Sequence, residues 1–120
     1  MKLMDLTKQL DVLIKEKQFL ELKASYILKE IEATPLNNLN EKLKKIDKIK
    51  LEISAISNQI DNYFAKIEKI LKNNFDEVDI KIYTLKKYKS LSYEKVAEII
   101  NYSTKQTQRR YKKIMEFEIA

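Results

Sequence analysis

The sequence predicts an all-α chain: a long antiparallel, coiled-coil-like helical hairpin followed by a three-helix helix-turn-helix unit. Three observations carry this. Gly is absent and Pro occurs once among 120 residues, so the tight turns that connect hairpin strands have few residues to build them. Apolar residues make up 44% and charged residues 35%, a balance suited to amphipathic helices. Apolar side chains also recur at alternating three- and four-residue spacing over two long stretches, the signature of a helical seam.

The first element spans residues 3–31. Leu3, Leu6, Leu10, Leu13, Lys17, Leu20, Ala24, Ile27 and Ile31 form a seam over four heptads with Lys17 as its polar interruption. Lys17 reads as a long stem on the seam whose ammonium reaches solvent, and a register-setting role is the alternative. Ile14 and Leu28 flank the seam and widen it, which calls for more than one helical neighbour. Pro35 disfavours helical geometry at Thr34, so the helix is expected to stop there. Residues 34–40 are turn-like, with Asn37, Asn38 or Asn40 as candidate caps for the next helix.

The second element follows Leu39, Lys42, Ile46, Ile49, Ile53, Ile56, Ile60, Tyr63, Ile67 and Ile70. Isoleucine at both core positions favours bundles over two-stranded pairs. Helices of this size are each about 45 Å long, and a short connection makes them antiparallel neighbours. Residues 1–74 are therefore expected to form a hairpin that oligomerises through residues 3–71, as a dimer whose hairpins make a four-helix bundle. Asn73 and Asn74 are expected to end the second helix, because Asn tolerates the left-handed conformation common at helix ends.

Residues 75–120 are expected to form a second domain. Its first helix covers 76–88, with Val78, Ile82, Leu85 and Tyr88 on one face. Asp76, Glu77 and Asp79 complement the dipole at its start. A metal site at these carboxylates is disfavoured, because a turning, usually Gly-containing loop is needed to converge the oxygens. Lys89, Ser90 and Leu91 break the helix. Ser92 caps a short helix over 93–100, where Val96, Ala97, Ile99 and Ile100 are apolar and Ala97 is small enough for a close crossing. Asn101, Tyr102 and Ser103 make the turn, with positive φ expected at Asn101. Ser103 and Gln106 complete a capping box for the last helix. On that helix Thr107, Tyr111 and Ile114 share an inward face, while Thr104, Lys105, Gln108, Arg109 and Lys112 point the other way.

Charge is concentrated in the same place. The formal net charge is +6, and residues 86–113 alone carry nine Lys/Arg against Glu94 and Glu98, a local +7. A basic block of that size favours an anionic partner such as double-stranded DNA. In the major groove, Gln pairs with adenine and Arg with guanine, while Lys and Arg bind phosphates. An exposed helix N-terminus adds amide donors for a phosphate. These residue types at this spacing make Thr104, Lys105, Gln108, Arg109 and Lys112 the candidate DNA-binding set, on a helix over 104–117.

The stretch Leu91-Ser-Tyr-Glu-Lys-Val-Ala-Glu-Ile-Ile-Asn-Tyr-Ser103, with Gln108-Arg-Arg110 after it, resembles the promoter-reading region of bacterial sigma factors. It is more similar still to small sigma-like regulators of phages and prophages of Gram-positive bacteria, the autolysin-regulator-like and late-gene-activator families. The likeness covers residues 76–115. It departs from the usual pattern at Thr107, where an aliphatic residue is common, and at Asn101, where Gly is. The resemblance implies a sequence-specific transcriptional regulator and adds host RNA polymerase as a further candidate partner.

Other classes fit less well. Cys and His are both absent, which removes disulfides, Cys-ligated metals, thiol nucleophiles and a His general base. No phosphate-cradling Gly loop exists either, so no enzymatic activity, metal or cofactor is expected. No apolar run is long enough to span a membrane, the first residues carry charges unlike a secretory signal, and a cytoplasmic location is expected. The basic segment lacks the aromatic and Leu wedge of a membrane-surface helix. The seven tyrosines could stack on single-stranded nucleic acid, but their helical spacing places them at core edges. Two further assignments share the same features: a small-terminase-type DNA-packaging protein, and a protein-binding coiled-coil module such as an inhibitor.

Overall fold

The computed structural model describes residues 2–120, the side chain of Asn37 excepted. Five helices follow in order: α1 (Leu3–Glu32), α2 (Leu36–Asn74), α3 (Glu77–Lys87), α4 (Tyr93–Ile100) and α5 (Thr104–Ile119), with no strand among the described residues. The chain divides into two compact units. One is Thr7–Phe64; the other joins the residues up to Leu6 with Ala65–Ala120.

The Thr7–Phe64 unit is an antiparallel pair. Lys42 Nζ lies 2.9 Å from Glu30 Oε2 close to the connection. Farther along, Ile27 and Ile49 line one groove, and Leu20 and Ile56 line another. Residue numbers fall on α1 as they rise on α2. The seam expected from the heptads faces the partner helix: Leu10, Ile46, Ile49 and Ile60 are buried, and Leu13, Lys17, Leu20, Ile27, Ile53 and Ile56 are half-buried. Lys17 keeps its stem on the seam and points its ammonium at Glu21, 3.9 Å away. Its charge thus stays wet, as a long cationic side chain at a core edge prefers.

Two helix ends differ from the sequence expectation. α2 begins at Leu36, so Asn38 and Asn40 lie inside its first turns and do not cap it. The Pro35 carbonyl accepts from Asn38 N–H at 3.0 Å and starts the turn itself, with the fixed φ of proline already suited to a helix entrance. The side chain of Asn37 lies outside the described residues. At the other end α2 does stop at Asn74, but without a left-handed residue; positive φ occurs only at Ser90 and Asn101 among the described residues. Instead the helical ladder runs on to Phe75 N–H, which donates to the Leu71 carbonyl at 2.7 Å, and the Asn74 side-chain amide adds a second donor to the Ile70 carbonyl at 2.8 Å.

The second unit packs α3, α4 and α5 against one another. Its core holds Ile82, Tyr83, Val96, Ala97 and Ile114, with Leu3, Leu6, Ile67 and Leu71 also buried. Asp76 caps α3 by accepting from Asp79 N–H at 2.8 Å, and Ser92 caps α4 through Lys95 N–H. Asn101 ends α4 at φ 59, ψ 44. Around it Tyr102 N–H donates to the Ala97 carbonyl and Asn101 N–H to the Glu98 carbonyl, the paired bonds of a Schellman ending. Asn101→Gly is therefore expected to leave stability within a few tenths of a kcal/mol, while Asn101→Val costs about 1–2 kcal/mol because a β-branched residue resists positive φ. Urea denaturation midpoints of the two variants check this.

Candidate nucleic-acid interface

The turn after Asn101 delivers the chain into α5 with its first amides satisfied. Gln106 N–H donates to Ser103 Oγ at 3.1 Å, and Ser103 N–H donates to Gln106 Oε1 at 3.2 Å. This is the capping box read from the sequence. Thr107, the polar residue on the expected inner face, is fully buried. Its hydroxyl donates to the Ser103 carbonyl at 2.9 Å, so the desolvated O–H keeps a partner and the position loses little against an aliphatic residue.

α5 buries one stripe, Thr107, Ile114 and Glu118. Tyr111 is half-buried at the edge of that stripe, its ring 6.0 Å from the Tyr93 ring at an edge-on 70°. Partial burial raises its phenol above the ordinary value. Of the candidate contact residues, Lys105, Gln108, Arg109 and Lys112 are exposed, while Thr104 is half-buried at the boundary of the face. The four exposed residues lie one turn apart on a single side, opposite Thr107 and Ile114.

The nine cations of residues 86–113 are not equivalent. Lys86 donates to the Leu91 carbonyl at 3.2 Å and sits 4.4 Å above the Tyr93 ring. Lys87 pairs with the buried Glu118 carboxylate, which also accepts from Tyr83 O–H at 3.4 Å. Burial pushes the Tyr83 phenol far up. Arg110 lies 3.3 Å from Asp76 and 3.0 Å from Asp79, and stacks over the Tyr102 ring at 5.1 Å. These three hold α3, α4 and α5 together. Among the described residues no ion pair involves Lys105, Arg109, Lys112 or Lys113. Arg109, Lys113 and Gln106 also border a groove of about 360 Å³ whose far wall is Phe75 and Asp79. Lys113 thus extends the cationic face beyond the five residues picked from sequence, with the neutral Gln106 beside it. Their exposure followed from helical periodicity, but only the packing of α5 on α3 shows them beside a groove.

Comparison with family models, curated proteins and solved structures gave no match. No helix among the described residues is long and apolar enough to cross a membrane.

The Arg110 clasp has a pH signature. The Asp76 carboxyl is held below its ordinary 3.8, first by the Asp79 N–H and then by Arg110. A carboxyl depressed in the folded state stabilises fully above its unfolded value and stops doing so as pH falls through the folded one. Asp76→Asn keeps the cap but removes the charge. It is expected to melt below the parent at neutral pH, with the gap closing as the pH falls below the ordinary carboxyl value. Thermal melts followed by circular dichroism check this; a constant gap would contradict the charge assignment.

Proposed function

We propose that this chain is a sequence-specific, double-stranded-DNA-binding transcriptional regulator that reads the major groove with α5. One observation carries the reading. Behind a Schellman turn and a capping box, α5 sinks Thr107 and Ile114 into a three-helix core and leaves Lys105, Gln108, Arg109 and Lys112 free on the opposite side. A helix held this way can enter a groove without unfolding its own support. Gln108 and Arg109 carry the planar donor and acceptor patterns that match adenine and guanine edges, and Lys105 and Lys112 meet phosphates. The local positive excess supports the same partner, since six of the nine cations take no part in the internal contacts described above. The likeness of residues 76–115 to sigma-like phage regulators supports transcription, with host RNA polymerase as a second partner.

The proposal includes a dimer. Two copies related by a two-fold axis present two α5 helices, and palindromic half-sites follow from that symmetry. Gln108→Ala with Arg109→Ala is expected to abolish protection of a selected site while helical content stays unchanged, because both side chains are exposed and neither supports the core. An intact footprint from that variant contradicts the assignment of α5. Lys112→Ala is expected to weaken binding to all sequences alike and to reduce the salt slope by about one.

A further inference from the structure

α1 carries a second apolar line that the antiparallel pair does not use. Val12, Phe19, Leu22 and Tyr26 are 53%, 66%, 55% and 60% exposed. Val12, Phe19 and Tyr26 are seven residues apart, and Leu22 lies between the last two, three beyond Phe19. This is the spacing of a heptad seam with Lys15 at its one polar position, and it lies on the side of α1 away from Leu10, Lys17 and Ala24. A scattered apolar surface has no such period; a line of this kind is shaped for another helix.

We infer that this line is the contact between two copies of the chain, with α1 lying antiparallel to α1 of the partner about a two-fold axis near Phe19. The proposal rests on the dimer included in the functional reading and names its face. Three features select a second copy. The first is self-complementarity: with Phe19 at the centre, Val12 falls opposite the partner's Tyr26 and Tyr26 opposite the partner's Val12, so a small side chain meets a large one twice. The second is charge. In an antiparallel pair residues on the same flank of the two helices face each other. That sets Glu16 beside the partner's Lys23 and Asp11 beside the partner's Lys29, each twice by symmetry. A parallel pair instead sets Asp11 against the partner's Glu16, a like-charge contact.

The third is area. The four side chains leave on the order of 400 Å² of apolar surface per copy, so pairing removes roughly 800 Å² from them alone. The stems of Lys15, Glu16 and Lys23 along the seam raise the total to about the 1,200 Å² at the lower end of specific interfaces. Phe19 also borders, with Lys15, Glu16, Leu20 and Ile56, a groove of about 410 Å³.

The chain has no cysteine, which makes the arrangement readable by cross-linking. Under mild oxidation without DNA, Phe19→Cys is expected to give a disulfide-linked dimer. Val12→Cys and Tyr26→Cys are expected to link only when the two proteins are mixed. Self-linking of Val12→Cys with no mixed product overturns the antiparallel arrangement. Phe19→Glu with Tyr26→Glu is expected to halve the mass seen by sedimentation, with helicity retained because both positions are exposed. A parent protein that is monomeric at tens of micromolar, or a dimer indifferent to those two changes, overturns the proposal. DNA binding is scored separately. A dimer through this face with no affinity for DNA sinks the functional reading alone, and a monomer that binds DNA sinks this one alone.

Discussion

Thr107 and Ile114 lose all contact with solvent when α5 settles on α3 and α4, and the candidate site follows from that burial. Removing an Ile side chain from water contributes about 1.5–3 kcal/mol, and the Thr107 hydroxyl keeps its hydrogen bond within the helix. Because only one stripe is buried, the rotation of α5 about its own axis is fixed. That rotation alone decides that Lys105, Gln108, Arg109 and Lys112 face outward together. The left-handed Asn101 decides where α5 begins, and Ala97, buried and small, leaves room for it to lie close to α4.

Electrostatics divides the same helix into two jobs. Arg110 and its Asp76–Asp79 cradle, with Lys87 on the buried Glu118, tie α5 to α3. Removing one member of the Lys87–Glu118 pair leaves a charge in a poorly solvated place, which costs more than an exposed pair ever contributes. Arg109, the residue next to Arg110, has no such partner. Two adjacent arginines therefore differ in role because 100° of helical rotation separates them: one faces carboxylates on α3 and the other faces solvent.

Much of this was legible in the sequence. The seam of the hairpin, the cap at Ser92, the positive φ at Asn101, the capping box at Ser103 and the inner placement of Thr107 all depend on residues within a few positions of one another, where spacing and side-chain chemistry suffice. What the sequence hid depends on distance or on competition. The Arg110 clasp joins residues 31 and 34 apart, and Glu118 meets residues 31 and 35 away; no periodicity connects them. At Ser90 the left-handed residue carries no special sequence signal. Asn73 and Asn74 carried one, yet α2 ends at Asn74 without a left-handed residue. Around residues 34–40 three asparagines masked the simpler start at Pro35. The line of Val12, Phe19, Leu22 and Tyr26 went unread because a stronger seam ran along the same helix, and only side-chain exposure distinguishes a used apolar line from an unused one.

The hairpin and the three-helix unit thus have separable chemistry: one offers an apolar line with alternating charges, the other a capped helix with free cations and a glutamine. The central claim is that the free face of α5 is where DNA docks. Titrating the isotopically labelled protein with a random-sequence duplex of about 20 base pairs at low salt tests it most directly, since non-specific binding uses the same phosphate-contacting face. The account predicts amide shifts confined to the α4–α5 turn and the first three turns of α5, around Lys105, Arg109 and Lys112, and reversed by added salt. Shifts centred on α1 or on the first half of α2, or no shifts at all, would contradict it.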